Sequence, residues 1–114
     1  MADAESLIHS YLPMTEQGFL LLYSLTEERH GYGIMQYVQE LTQGRVSLGP
    51  GTVYTMLYKM ENDGLIEPVR EVDRRKVYRI PPPGRQVLEA EAGRLRQLAA
   101  IAERVPALPR PLAG

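Results

Sequence analysis

At 114 residues, with 13 Lys and Arg against 14 Asp and Glu, the chain has the length of one domain and a net charge of −1. It has no cysteine, which excludes disulfides and thiolate zinc sites. The opening Met1-Ala-Asp-Ala-Glu lacks the basic region and apolar run of a signal peptide, and the longest apolar run, Phe19 to Leu25, is far too short for a bilayer, so a soluble cytoplasmic protein is expected.

Residues 1–13 carry Leu7, Ile8, Tyr11 and Leu12 at helical spacing, which predicts a short leading helix closed by Pro13. Thr15 is a good N-cap for a second helix, with Glu16 in its first turn, running to about Glu27. Phe19, Leu20, Leu21, Leu22, Tyr23 and Leu25 make it apolar nearly all round. Such a helix is buried on more than one side, which in so small a domain points to a partner subunit.

Arg29 to Gly33 reads as a loop into the next helix, whose stripe is Ile34, Tyr37, Val38 and Leu41, with Gly44 as its C-cap glycine. Arg45-Val46-Ser47 reads as a short extended segment. Pro50 opens another helix, capped by Gly49 or Ser47, with Val53, Met56, Leu57 and Met60 inward. Its outward face holds Gly51, Thr55, Tyr58 and Asn62, flanked by Thr52, Tyr54 and Lys59. Asp63-Gly64 ends it.

Leu65 to Val72 and Lys76 to Ile80 read as strands joined at an Asp73-Arg74-Arg75 tip. Pro81-Pro82-Pro83 then closes the strand, and a long helix runs from about Gly84 to Val105. Leu88, Leu95 and Ala102 recur every seven residues, as do Leu98 and Val105, with Glu91 interrupting one seam. These are fewer heptads than would by themselves argue for a coiled coil; the expected organisation is an N-terminal extension or short helix at 1–13, a winged helix at 14–80, a C-terminal helix at 81–105, to which the family resemblance given below assigns dimerisation, and a disordered tail at 106–114. The fold class is mainly α with a small β-hairpin: a winged helix-turn-helix plus a C-terminal dimerisation helix.

Charge is unevenly placed. Residues 1–44 set Asp3, Glu5, Glu16, Glu27, Glu28 and Glu40 against Arg29 alone, whereas Arg70, Arg74, Arg75, Lys76, Arg79 and Arg85 outnumber Glu71 and Asp73 within residues 70–85. Such local basic clustering, on a hairpin that follows a helix-turn-helix pattern, is what holds phosphates. Thr52, Tyr54, Thr55, Tyr58 and Lys59 offer the hydroxyls, methyls, phenols and cation with which a helix reads base edges in the major groove. Gly51 sits where a helix N-terminus can meet a phosphate. Arg74, Arg75 and Lys76 at the tip suit phosphates or a minor groove. The Gly49-Pro50-Gly51-Thr52 turn lacks the Gly-Lys-Ser/Thr ending of a nucleotide loop. His9 and His30 stand in no metal-ligand pattern, and no nucleophile motif or framed acidic pair is present, so no metal, cofactor or catalytic residue is expected.

Taken together, His30-Gly31-Tyr32-Gly33-Ile34, Gly49-Pro50-Gly51-Thr52-Val53-Tyr54, Glu61-Asn62-Asp63-Gly64-Leu65-Ile66, Asp73-Arg74-Arg75-Lys76-Val77-Tyr78 and Gly84-Arg85 resemble the PadR family of transcriptional regulators over about residues 15–105. The resemblance implies a winged helix with a C-terminal helix that builds a homodimer, a repressor on double-stranded DNA with a roughly palindromic operator. Some members release DNA on binding a small molecule, so it also implies that an effector is open here. The dimer interface implied is Leu88, Leu95, Leu98, Ala102 and Val105. Thr55 departs from the family, which usually has proline there. Pro81 to Pro83 replace its Thr-containing turn, and a single C-terminal helix marks a short subclass. The alternative is a winged-helix protein-interaction module that uses the acidic residues 1–44 and binds no specific DNA.

Overall fold

The computed structural model describes residues 3–106, which form five helices and three strands. The helices are α1 (Ala4–Tyr11), α2 (Glu16–Ser24), α3 (Gly31–Leu41), α4 (Pro50–Asn62) and α5 (Pro82–Ala102). The strands are β1 (Arg29–His30), β2 (Glu67–Val72) and β3 (Arg75–Arg79). The expected tail lies almost wholly outside the described residues.

Short polar side chains start the first helices. Asp3 accepts the Ser6 N–H at 2.8 Å, Thr15 accepts the Gly18 N–H at 3.0 Å, and His30 Nδ1 accepts the Gly33 N–H at 3.0 Å. Gly49 precedes α4 without a side-chain cap, and Pro50 fixes its first residue in helical φ. The helix ends in a left-handed Gly64, with the Leu65 N–H donating to the Met60 carbonyl at 2.9 Å and the Gly64 N–H to Glu61 at 3.1 Å. That closure turns the chain directly into the hairpin.

The sheet is antiparallel in the order β1-β3-β2. β1 and the first turn of α3 replace the loop expected at 29–33: Arg29 pairs with Tyr78 and His30 with Val77, and the helix begins at Gly31. Arg45 to Ser47 forms no strand, because the turn there is held by the Thr42 hydroxyl, which accepts the Val46 N–H at 3.0 Å. Gly44 is not alone in closing α3; Gln43 takes the left-handed position first, at φ 53°, and Gly44 follows at φ 80°. α2 stops at Ser24 rather than about Glu27. The edge strand β2 tolerates Pro68, beside an irregularity in register between Pro68 and Arg70.

One apolar core joins all of this: Leu7, Leu21, Leu22, Leu25, Ile34, Val38, Val53, Leu57, Met60, Leu65, Ile66, Val87 and Leu88 are all buried in it. Burying each such side chain contributes about 1.5–3 kcal/mol. Leu88, expected at a dimer face, is therefore a core residue, since the first turns of α5 pack down onto α2 and α1. Pro82 and Pro83 begin α5 instead of preceding it; their missing N–H groups fall where a helix has no internal acceptor for them. The helix ends at Ala102, leaving Val105 in the turn beyond. Its distal half stands clear of the core, leaving Leu98, Ile101 and Ala102 exposed.

Glu91, also buried, anchors that helix. Its carboxylate accepts the Met14 N–H at 2.8 Å and a two-pronged contact from Arg94 at 2.6 and 3.0 Å. Arg94 chiefly, with Met14 assisting, holds the carboxyl below the usual range against the opposing effect of burial.

Candidate nucleic-acid interface

Burial of Val53, Leu57 and Met60 fixes the rotation of α4. Gly51, Thr52, Tyr54, Thr55, Tyr58 and Lys59 are all exposed, as the spacing predicts, and so is Asn62. Tyr58 is 73% exposed and Tyr54 53%. Both are large aromatic side chains left open on a helix whose opposite face buries Val53, Leu57 and Met60.

The two tyrosines differ in freedom. Tyr54 lies on bare backbone at the start of α3, where a β-carbon on Gly31 would stand 2.9 Å from its ring and 3.0 Å from its phenol oxygen. The glycine thus sets where the Tyr54 phenol sits. Next to it Tyr78 is buried, and burial first, then the neighbouring Glu61 carboxylate, pushes its phenol up. Lys59 is engaged within the protein: Nζ donates to Asp63 Oδ2 at 3.0 Å and lies 5.0 Å from the Tyr11 ring centre.

The hairpin turn is two residues long, with Val72 paired to Arg75. Asp73 and Arg74 both have positive φ, 51° and 64°. Positive φ at both positions is the turn whose twist matches the flanking strands. A non-glycine residue there costs on the order of 1–2 kcal/mol, so the turn holds Arg74 at its tip in spite of that cost. Arg75 lies 5.5 Å from the Tyr32 ring centre, and Tyr32 stacks on His30 at 6.5 Å.

Not all the basic charge of this region is free. Arg70 pairs with Glu28, and Arg79 with Glu67 at 2.6 Å. Among the described residues Arg74, Arg75 and Lys76 take part in no ion pair. The acidic half is partly occupied as well, since Glu16 pairs with Arg45, Glu27 with Arg29 and Glu28 with Arg70.

The start of α3 therefore joins α4 to the hairpin, through Gly31 under Tyr54 and Tyr32 under Arg75. The contact of Tyr32 with Arg75 is not evident in the sequence, where Arg29 to Gly33 reads as a loop entering the helix. Its signal was an aromatic residue at a helix start with no place in the Ile34, Val38 stripe.

On α5 and in the turn after it the candidate dimer residues split. Leu88 is internal, Leu95 is half-buried, and Leu98, Ala102 and Val105 are exposed. Ile101, 58% exposed, joins Leu98 at 52% in an apolar stripe that nothing in the described chain covers. Beside it Phe19, Leu20, Tyr23, Leu41 and Ala92 line a shallow recess between α2 and α5.

Among the described residues no group of three or more His, Asp or Glu side chains could hold a metal ion, and no helix is long and apolar enough to cross a membrane.

The transcriptional regulator PadR-like family model matches residues 20–90. A transcriptional regulator of Mycobacterium tuberculosis is 36% identical over 83 residues, 70% of this chain and 75% of that protein. An uncharacterized protein in a transposon of Streptomyces fradiae is 35% identical over 69 residues, 60% of this chain; the match spans only 19% of that longer protein. Among solved structures, a transcriptional regulator from Clostridium thermocellum superposes with a TM-score of 0.70 at 20% identity, covering 89% of this chain and 98% of its own. A PadR family regulator from Clostridium difficile gives 0.66 at 24% identity, covering 79% and 97%.

Proposed function

This chain belongs to the PadR-like family of transcriptional regulators, and from that footing we propose that it is a sequence-specific DNA-binding repressor acting as a homodimer on the chromosome in the cytoplasm, with no catalytic step of its own. The carrying observation is the exposed row of Thr52, Tyr54, Thr55 and Tyr58 on a helix whose opposite face is buried, with hairpin residues Arg74, Arg75 and Lys76 that take part in no ion pair among the described residues.

In this reading α4 enters the major groove. Threonine hydroxyls and methyls and the Tyr58 phenol meet base edges there. Gly51, in the first turn, leaves backbone N–H groups open to a phosphate. Lys59 takes a phosphate on the far side. The hairpin cations grip the flanking backbone, which positions the protein without specifying sequence. Two copies are joined through the Leu95, Leu98, Ile101 and Ala102 stripe and Val105, together with the recess around Phe19, Leu20 and Tyr23. Two-fold symmetry then requires a roughly palindromic operator. The protein-interaction alternative loses support because Glu16, Glu27 and Glu28 are already paired.

The test is the salt dependence of binding. Arg74→Ala with Arg75→Ala lowers affinity and reduces the slope of log K against log salt by about 0.9 for each phosphate no longer neutralised. An unchanged affinity and slope would remove the hairpin from the mechanism.

A further inference from the structure

Asp63, at the end of α4, serves two donors with one oxygen. Tyr11 Oη donates to Asp63 Oδ2 at 2.6 Å, and Lys59 Nζ donates to the same atom at 3.0 Å. Tyr11 ends α1, 52 positions away in sequence, and is half-buried against the core. Burial first, then the Asp63 carboxylate, pushes its phenol above the ordinary range, so it remains a donor. Tyr11 first and Lys59 second hold the Asp63 carboxyl below its usual range, so the acceptor stays charged. Lys59 is the mobile member of the three, on a flexible stem with a largely exposed side chain.

A carboxylate this close opposes any phosphate for the same ammonium. When Lys59 turns to a phosphate it must leave Asp63, and the cost depends on what else that oxygen keeps. With Tyr11 in place, the carboxylate retains a short charge-assisted hydrogen bond. Without it, Lys59 is the only side chain among the described residues bonded to the carboxylate, and it is held harder.

We propose that Tyr11 is a positioning residue for DNA binding: by occupying Asp63 it releases Lys59 to the phosphate backbone, giving α1 a part in recognition by α4. This rests on the reading of α4 as the DNA-contacting helix, so one arm of the test uses no DNA. The arms require opposite signs from two conservative substitutions.

In the first arm, Lys59 of the free protein is acylated with succinimidyl acetate and its rate read by peptide mass spectrometry, with Lys76 as internal control. Tyr11→Phe is expected to slow Lys59 about threefold, the scale of one net hydrogen bond, and Asp63→Asn to speed it, Lys76 being unmoved in both. If Tyr11 only packs α1 in place, Tyr11→Phe loosens the packing and Lys59 reacts as fast or faster; that result overturns the proposal.

In the second arm, the same proteins bind a duplex that the wild type selects from a random-sequence pool. Tyr11→Phe is expected to weaken binding about threefold to tenfold, and adding Asp63→Asn to restore it, because nothing then holds Lys59 back. Failure of Asp63→Asn to rescue overturns the proposal. Should the wild type select no duplex, the functional reading fails, and the acylation arm still decides how Tyr11 governs Lys59.

Discussion

The first turn of α5 passes so close to the segment between α4 and β2 that a β-carbon on Gly84 would lie 1.9 Å from the carbonyl oxygen of Leu65. The same atom would lie 2.9 Å from Ile80 Cγ1. Backbone cannot step aside as a flexible side chain can. Gly84→Ala should therefore displace α5 from the hairpin root and cost about 3 kcal/mol or more. Urea unfolding with an unchanged m-value checks this; a destabilisation within about 0.5 kcal/mol, the range of an ordinary surface change, would contradict the close approach.

Gly31→Ala separates stability from recognition. Its β-carbon would meet the Tyr54 ring at 2.9 Å, but that ring is half exposed and can swing away. The expected cost to folding is below about 1 kcal/mol, while affinity falls as it does in Tyr54→Ala. Adding Gly31→Ala to Tyr54→Ala should then change affinity no further. Additive effects in that pair would place the role of Gly31 elsewhere.

The Glu91 contact predicts an acid-dependent stability. Its folded carboxyl is held below the ordinary value of 4.5 by Arg94 and the Met14 N–H. As pH falls, the unfolded chain takes up the proton first, so the stabilisation is complete above about 4.5 and disappears as pH drops through the folded value. Glu91→Gln should lower the thermal midpoint by at least about 4 °C near pH 7. The gap to wild type should narrow below about pH 4. Asp63 is also held low, but it is common to both proteins and cancels in the difference. A gap constant across that range would contradict this role of Glu91.

Leu98 and Ile101 leave more than half their surface open on a helix that extends past the core. Leu98→Glu with Ile101→Glu should convert a dimer to a monomer in sedimentation equilibrium, with little change in the monomer's own helix content. Neither side chain belongs to the core, so folding of the monomer should survive. An unchanged mass would move the dimer interface away from the distal half of α5.

What the sequence revealed and what it hid follow from where each residue's partners lie. The outward face of α4 was legible because four apolar residues at helical spacing fix which side is wet. The two-residue hairpin turn was harder to read, since Asp73-Arg74 lacks the glycine that usually marks it. β1 was invisible, as two residues carry no alternation and Arg29 and His30 become a strand only through Tyr78 and Val77. Leu88 shared a seven-residue spacing with Leu95 and Ala102, but that spacing drifts by about 20° per heptad on a straight helix, and the near end packs on the core. Glu91 looked like a break in a seam because its partner, the Met14 N–H, is 77 positions away. The Lys59 and Asp63 pair went unread despite its i,i+4 spacing, and Tyr11, which shares that carboxylate, lies 52 positions from it.

The central claim, that two copies of α4 read one duplex, is tested most directly by selecting from a random-sequence duplex pool with the purified protein and sequencing what is retained. The predicted result is a two-fold symmetric motif with half-site centres about 34 Å apart along the duplex, or a multiple of that, and its enrichment vanishes in Thr55→Ala with Tyr58→Ala. Retention without any enriched motif, or a motif that persists in that double variant, would contradict it.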